Sequence, residues 1–495
     1  MSTIGSRTVM GLTWAYFAYG GDKALSLVTI AVLARVLVPE DFGIIAAGTL
    51  FIGFVDALRD VGIKDALTYK GDEKASLADT AFILSAAIGL SQMVAALLLA
   101  PFAQTFSDDP RLSDLIMVMA PIFLINSMAS THDALLHRQL KFRVCYSVDF
   151  MAATVRTGVV ILCVLADFGI WSFPAGMLTS AVVRAAGRWA VLPWRPSWRF
   201  DADDARLLMR FGLHVWAASL IAPILFRMDQ LSILSFPGEA MLAVYVVALR
   251  LPDVILGSLG VVVSRIMFPV FVRIREDGNE FKDHLLATAR RMVMASAPIG
   301  VGLALVAPIV LPLAFGDKWG PAIPVMQILA LALTLDTIPW AFGDAFKAVG
   351  RPGLATLLLI VEACYMVPAI WSVTYLFQDV TATAAVVLAC SAVTAVLRIA
   401  VACSTLDIKV RQVWVAFQGT ALAAGFMAVC VLGWQHMAGS LPVPVVLAGS
   451  VTVGAVAYIL SIWLVDRHEA RHIIQTILSA WQRTPRPDPI REPAP

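Results

Sequence analysis

Long apolar runs separated by short polar stretches dominate the pattern of this chain. Fourteen of the runs hold about 20 mostly apolar residues, the length that an α-helix needs to cross the hydrocarbon core of a bilayer. The pattern therefore predicts an all-α integral membrane protein with about 14 transmembrane helices. The predicted spans are 11–36, 42–63, 79–104, 112–131, 146–166, 169–192, 211–236, 240–267, 290–315, 322–346, 352–377, 381–403, 412–435 and 442–465.

The distribution of basic residues gives these helices an orientation. If both termini lie in the cytoplasm, Arg111 and Lys318 are the only ones of the 37 Lys and Arg residues that fall in outer loops. Acidic residues show no such bias, and cytoplasmic loops are the ones that carry an excess of Lys and Arg. The sequence thus predicts a multi-pass protein with both termini in the cytoplasm.

Composition excludes several classes of protein. The chain is 59% hydrophobic and 15% charged, with a mean hydropathy of +0.81, whereas a soluble domain carries about 25% charged residues. The net charge of +2 argues against a nucleic-acid partner. The six cysteines have no close spacing, so neither a disulfide nor a zinc site is expected.

Four basic residues lie deep inside predicted spans, where an ionisable side chain costs about 2.5–3.5 kcal/mol and rarely faces lipid. They are Lys23, Arg156, Arg227 and Arg250. Two arrangements would satisfy them: buried ion pairs, or a water-filled cavity that accepts an anion. Because arginine grips phosphate oxygens bidentately, phosphate or pyrophosphate is the expected anion, and these four are the candidate substrate-binding residues.

Acidic residues in the spans form two further groups. Asp22, Asp229, Asp336 and Glu362 are candidates for ion coupling through a bound proton or Na⁺, or for pairing with the basic set. Asp56, Arg59 and Asp60 lie on one helix face with Lys64, so they predict an ion-pair ladder that fixes helix packing or a gate.

No motif of a catalytic or metal site is present. The sequence has no P-loop, no G-x-S-x-G and no H-E-x-x-H, and its predicted outer loops are only a few residues long. We therefore expect no enzyme activity and no cofactor.

The two halves of the chain begin alike. Gly11-Leu-Thr-Trp14 resembles Gly212-Leu-His-Val-Trp216, and each is followed by intramembrane charges, a short Pro-containing turn and another apolar helix. This pattern predicts a parallel repeat, and such repeats place the substrate path at their interface. The expected organisation is a six-helix lobe at 1–192, a cytoplasmic amphipathic connector at 193–210, a second six-helix lobe at 211–403, helices 13 and 14 at 404–466, and a cytoplasmic tail at 467–495.

Two stretches resemble a known family. One runs Ile30-Ala-Val-Leu-Ala-Arg-Val-Leu-Val-Pro-Glu-Asp-Phe-Gly43 and continues over Asp60-Val-Gly-Ile-Lys-Asp-Ala66. The other is Leu313-Ala-Phe-Gly-Asp-Lys-Trp-Gly-Pro321. Both are similar to the polysaccharide transporter family of oligosaccharide flippases, within the multidrug/oligosaccharidyl-lipid/polysaccharide exporter superfamily.

The resemblance implies two six-helix lobes around a central cavity, plus two C-terminal helices, in a bacterial inner membrane. It also implies flipping of undecaprenyl-pyrophosphate-linked repeat units to the periplasmic leaflet by alternating access, for exopolysaccharide, capsule or O-antigen synthesis. A lipid-linked oligosaccharide, membrane lipid, H⁺ or Na⁺, and polymerase and chain-length proteins are the expected partners. The alternatives are a multidrug or cation antiporter of the same superfamily and a membrane polysaccharide polymerase.

Overall fold

The computed structural model describes residues 2–58, 63–64, 67, 76–107, 109–139, 141–209, 225–274 and 278–465. Within these ranges the chain forms helices and short turns, without a β-strand. The helices are α1 (Ser2–Val36), α2 (Pro39–Ala57), α3 (Ser76–Ala103), α4 (Arg111–Met119), α5 (Pro121–Arg138), α6 (Phe142–Leu165), α7 (Ser172–Val191), α8 (202–209), α9 (Met228–Ser235), α10 (Glu239–Pro252), α11 (Ser258–Ile274), α12 (Gly278–Phe315), α13 (Ala322–Ala348), α14 (Pro352–Phe377), α15 (Val380–Leu406), α16 (Val410–Met437) and α17 (Val443–Val465).

Ten segments of the described chain are long and apolar enough to cross a membrane. They are Ser76–Ala103, Arg111–Arg138, Phe142–Leu165, Glu239–Gly260, Glu280–Phe315, Ala322–Ala348, Gly353–Phe377, Val380–Leu406, Val410–Met437 and Val443–Leu464. Each coincides with a predicted span, which confirms the all-α membrane class. The full count of 14 stays a prediction.

The segment after α7 is extended, and hydrogen bonds join it to the first turn of α3. Residues 193–201 of the predicted connector have no helical structure. Helix α8 follows, and the Asp201 carboxylate caps it by accepting hydrogen bonds from the backbone N–H groups of Asp203 (2.8 Å) and Asp204 (3.2 Å). The Asp79 carboxylate of α3 accepts a hydrogen bond from the Ser197 backbone N–H at 3.0 Å. The predicted cytoplasmic tail at 467–495 lies outside the described residues.

The chain divides into two compact units. The first comprises the residues up to Ile255, Val310–Ala332 and Arg351–Thr394; the second comprises Leu256–Ile309, Leu333–Gly350 and the chain from Ala395 onward. In the first unit α6 packs along α7 and α1, α3 packs on α5, and α2 packs on α10. In the second unit α12, α16 and α17 share an apolar core that includes Met294, Met427 and Ile462. The predicted lobes at 1–192 and 211–403 stay a prediction.

Two helix ends in the first unit cap each other. The Arg35 guanidinium, at the end of α1, donates to the carbonyl oxygens of Leu313 and Ala314 (3.1 Å for Ala314) at the end of α12. A cation at a helix C-terminus satisfies free carbonyls and opposes the helix dipole. Arg35 therefore binds a distant helix end rather than the neighbouring outer acids.

The turn after α12 in its turn binds carbonyl groups at the end of α1. The Trp319 indole N–H donates to the Ala34 carbonyl at 2.9 Å, and the Lys318 ammonium donates to the Leu37 carbonyl at 2.6 Å. Partial burial lowers the pKa of Lys318. The Trp319 ring is fully buried against Phe42, edge to face at 5.4 Å. The sequence motif around Gly-Asp-Lys-Trp thus holds the end of α1.

We expect Trp319→Phe to lower the unfolding free energy by about 1–3 kcal/mol, because the buried Ala34 carbonyl loses its donor and the smaller phenyl ring leaves part of the indole site unfilled. Thermal unfolding in detergent measures this loss. Trp198→Phe is the matched control, since Trp198 is 71% exposed. Equal melting temperatures for the two variants would show that the indole hydrogen bond does not stabilise the turn.

Helices α2 and α10 meet at their first turns. A Cβ atom on Gly43 of α2 would lie 2.1 Å from the Glu239 carbonyl oxygen, so this approach requires glycine. Next to it, the Ser107 hydroxyl donates to the Glu239 carboxylate, and Arg111 pairs with Asp41 at 2.8 Å. The contact closes this end of the first unit, which the predicted orientation places at the outer surface.

Candidate functional site

The first unit encloses a cavity of about 530 Å³. Side chains of α1, α3, α5, α6 and α7, together with Ile63 and Lys64, line it. Its ionisable lining residues are Asp22, Lys64, Asp133, Asp149, Arg156, Arg184 and Arg188. Four cations against three carboxylates leave one excess positive charge in a largely apolar helical unit, which suits an anionic ligand.

Arg188 is the centre of the charged wall. Its Nε donates to Asp133 Oδ1 at 2.8 Å, and its two terminal nitrogens donate to the two oxygens of Asp149 at 3.1 and 3.2 Å. Lys64 also pairs with Asp133, and Arg184 pairs with Asp149 at 3.2 Å. Because Arg188 is buried, both of its partners depend on it for charge compensation.

Arg156 pairs with Asp22 across the cavity. The Nη2–Oδ1 distance is 3.2 Å, and the Arg156 side chain is 15% exposed while that of Asp22 is 41% exposed. The two residues lie on α6 and α1, which pack along each other. Only one of the Arg156 terminal nitrogens is engaged in this pair, so the guanidinium can bind an anion as well.

Arg250 lies beside this pair. Its Nη2 donates to the Ser26 hydroxyl, four residues after Asp22 on α1, and its charge interacts with those of Asp22, Arg156 and Asp253. Its Nε is buried and has no hydrogen-bond partner in the described chain. Arg250 does not line the cavity, but its charge interacts with those of two residues that do, Asp22 and Arg156.

Arg227 takes a different position. It precedes α9, and its guanidinium covers Gly53 of α2, where a Cβ atom would lie 1.9 Å from Nη1. Asp229 is buried and accepts hydrogen bonds from the Tyr245 hydroxyl and from the Gln230 backbone N–H at 2.7 Å. Arg227 therefore crosses α2 outside the described lining of the cavity.

We expect Gly53→Ala to impair the activity of the protein as Arg227→Ala does, because the added methyl must displace the guanidinium from α2. The activity of the two purified variants in liposomes measures this. Gly302→Ala is the control, since a Cβ atom there meets open space. A fully active Gly53→Ala variant beside an inactive Arg227→Ala variant would show that the guanidinium does not act from this position.

The other predicted residues are dispersed. Lys23 lies with its Nζ 5.5 Å from the centre of the Tyr19 ring, and Asp56 lies near the end of α2. Glu362 of α14 is buried and accepts a hydrogen bond from Thr394 of α15 at 3.2 Å. Asp336 lies on α13, in the part of it that belongs to the second unit. Arg59 and Asp60 fall outside the described residues.

Of the seven ionisable lining residues, five were not among the predicted site residues: Lys64, Asp133, Asp149, Arg184 and Arg188. Arg184 and Arg188 were counted with the basic residues of the inner side, and Lys64 was placed in the local ion-pair ladder, because they lie near the predicted cytoplasmic side. Lys64 instead pairs with Asp133, 69 residues away. Arg184 and Arg188 are one helical turn apart on a predicted span. This spacing could have indicated a second charged helix face.

Asp133, His137 and Cys145 place potential metal ligands within 4.8 Å of one another. However, the Asp133 carboxylate is already neutralised by Arg188 and Lys64. A divalent cation would have to displace both, so this trio is better explained as part of the ion-pair network.

Comparison with known proteins decides the family. The model of a family described as polysaccharide biosynthesis protein matches residues 32–324, which is more than half of the chain. The chain belongs to this family. It is 26% identical over 363 residues to the succinoglycan biosynthesis transport protein ExoT of Rhizobium meliloti, an alignment that covers 73% of each chain. Because ten helices within the described residues are long and apolar enough to cross a membrane, this family member is a multi-pass membrane protein.

Two solved structures show the fold. The lipid II flippase MurJ, in an inward closed conformation, matches with a TM-score of 0.75 at 13% identity, over 93% of this chain and 99% of that one. An inward-facing multidrug resistance MATE family transporter of the MOP superfamily matches with a TM-score of 0.62 at 15% identity, over 78% of this chain and 94% of that one. The fold is thus the one that flippases and multidrug transporters share.

Proposed function

We propose that this protein is a flippase for undecaprenyl-pyrophosphate-linked oligosaccharide repeat units. It would move them from the cytoplasmic to the periplasmic leaflet of a bacterial inner membrane, with both of its termini in the cytoplasm. Family membership supports a role in polysaccharide synthesis. The related protein ExoT is a succinoglycan biosynthesis transport protein, and the similarly folded MurJ is a lipid II flippase.

The observation that carries the proposal is the charge of the cavity. Four cationic side chains face a space large enough for a pyrophosphate and its first sugars. The head group would enter from the cytoplasmic side while the prenyl chain stays in lipid, because moving each CH₂ group into water costs about 0.8 kcal/mol. The contact between α2 and α10 would have to part to release the glycan outside, as alternating access requires.

Ion coupling is part of the proposal. Asp229 and Glu362 are buried carboxylates whose hydrogen-bond partners include the hydroxyls of Tyr245 and Thr394. Oxygen-rich surroundings of this kind suit a proton or Na⁺, and Asp336 offers a third carboxylate within the bilayer. A polymerase and a chain-length protein would act on the exported units.

Translocation by the purified protein tests the proposal. Liposomes containing the protein receive undecaprenyl-pyrophosphate-linked oligosaccharide, and an impermeant lectin measures the sugars that reach the opposite leaflet. We expect protein-dependent crossing that Arg156→Gln and Arg184→Gln, which each remove a cation from the cavity lining, reduce strongly without lowering the amount of protein in the membrane. Flux of a cationic drug without glycan crossing would instead favour the antiporter to which the MATE-like fold also belongs.

A further inference from the structure

Part of the cavity lining is neutral and polar. It consists of Ser85 and Gln92 on α3 and of Asn126, Ser127 and Ser130 on α5, with small apolar surface at Ile88 and Ala129 between them. Asn126 and Ser130 lie four residues apart and Ser85 and Gln92 seven apart, so each pair shares one helix face. The row on α5 continues to Asp133, where the charged wall begins.

Several of these side chains have donors or acceptors without a hydrogen-bond partner in the described chain. Within the described chain no hydrogen bond is made by the side chain of Ser85, Asn126 or Ser130, and all three line the cavity. Gln92 is 3% exposed, and its Nε2 donates a hydrogen bond to the Val55 carbonyl at 2.8 Å, which fixes the orientation of the amide. Its Oε1 is buried and has no hydrogen-bond partner within the described chain. An unfilled buried acceptor is costly unless a ligand or water supplies a donor.

We propose that this neutral wall binds the sugar next to the pyrophosphate and selects the glycan, with Asn126 as the main specificity residue. The inference rests on the proposed function. A planar side-chain amide donates and accepts at once, and can therefore pair with two neighbouring hydroxyls of a hexose. Tyr19 and Tyr146, which also line the cavity, offer aromatic faces for the C–H surface of a sugar ring.

The geometry assigns the two walls to two parts of one ligand. The pyrophosphate would pair with cations on α6 and α7, and the attached sugar would contact the neutral residues that α3 and α5 contribute to the same cavity. A site built to hydrogen-bond hydroxyl groups discriminates strongly against ligands that lack them, because its polar groups are then left unpaired. This wall, rather than the cations, would distinguish one lipid-linked glycan from another.

Binding of four lipids to the purified protein tests this inference. They are undecaprenyl pyrophosphate without sugar and the same lipid bearing glucose, galactose or N-acetylglucosamine. We expect the wild-type protein to bind at least one glycosylated lipid more tightly than the bare lipid. Asn126→Ala and Ser130→Ala should each weaken that binding by about threefold to tenfold and leave the affinity for the bare lipid unchanged.

Two further variants separate the possible results. Arg156→Gln should weaken binding of all four lipids, and Thr179→Ala should weaken none, since the Thr179 hydroxyl is bonded to the Ala175 carbonyl on α7. Equal affinity of the wild-type protein for all four lipids, or an equal loss for bare and glycosylated lipids in Asn126→Ala, would overturn the inference and leave the flippase proposal standing. Binding of none of the lipids would overturn both.

Discussion

Arg156→Gln is expected to reduce translocation of lipid-linked oligosaccharide by about tenfold to a hundredfold while the protein stays folded. The guanidinium lines the cavity and would make charge-assisted hydrogen bonds to the pyrophosphate, each worth about 1.5–3 kcal/mol. The fold tolerates its loss because the partner carboxylate, Asp22, is 41% exposed and is left hydrated. Liposome translocation and thermal unfolding of the same preparation give the two readouts.

Asp22→Asn is the matched control for this substitution. It breaks the same ion pair but keeps the cation, so translocation should be retained if Arg156 binds the substrate. If Asp22→Asn and Arg156→Gln were equally inactive, the pair itself would be the functional unit, and a direct contact between Arg156 and the pyrophosphate would be ruled out as the main contribution.

Arg188→Ala is expected to lower the unfolding free energy of the protein by about 3–5 kcal/mol. Its guanidinium holds Asp133 at 2.8 Å and Asp149 at 3.1 and 3.2 Å, and it is buried. Removing it deletes three charge-assisted hydrogen bonds of a buried network, and we expect a cost of this size even though Lys64 and Arg184 still pair with the two carboxylates. Denaturant or thermal unfolding in detergent micelles measures the loss.

A conservative variant and an exposed control variant test the role of Arg188 further. Arg188→Lys should recover only part of the stability, because one ammonium cannot bridge two carboxylates as the planar guanidinium does. Arg199→Ala removes an exposed arginine that makes no hydrogen bond or ion pair within the described chain, and it should change stability by less than about 0.5 kcal/mol. An Arg188→Ala protein as stable as Arg199→Ala would mean that the network does not hold α5, α6 and α7 together.

The helices followed directly from the sequence. A run such as Val380–Leu406 is mostly apolar, and in lipid its backbone can satisfy its hydrogen bonds only within the helix. Ten of the predicted spans therefore coincide with long apolar helices of the structure. The connector after α7 was less accessible to sequence reasoning, because its extended form depends on bonds from Ser197 and Asp201 to Asp79 and Thr80 on α3.

The candidate site was predicted only in part. Arg156 and Asp22 line the cavity as depth alone suggested, since a charge far from either surface needs a polar surrounding. Arg188 was missed because its place near a helix end made a solvated position plausible. Its burial results from Asp133 and Asp149, which are 55 and 39 residues away in the sequence.

The sequence by itself therefore determined the membrane class, the helices and the predicted orientation, because these depend on local apolarity and on the count of basic residues beside each span. Only the tertiary structure decided which charges meet. Asp22 and Arg156 are separated by 134 residues, and Arg250 and Ser26 by 224. The packing of α1 against α6 and α10 brings these distant residues together. The helical periodicity of the sequence contains no information about that packing.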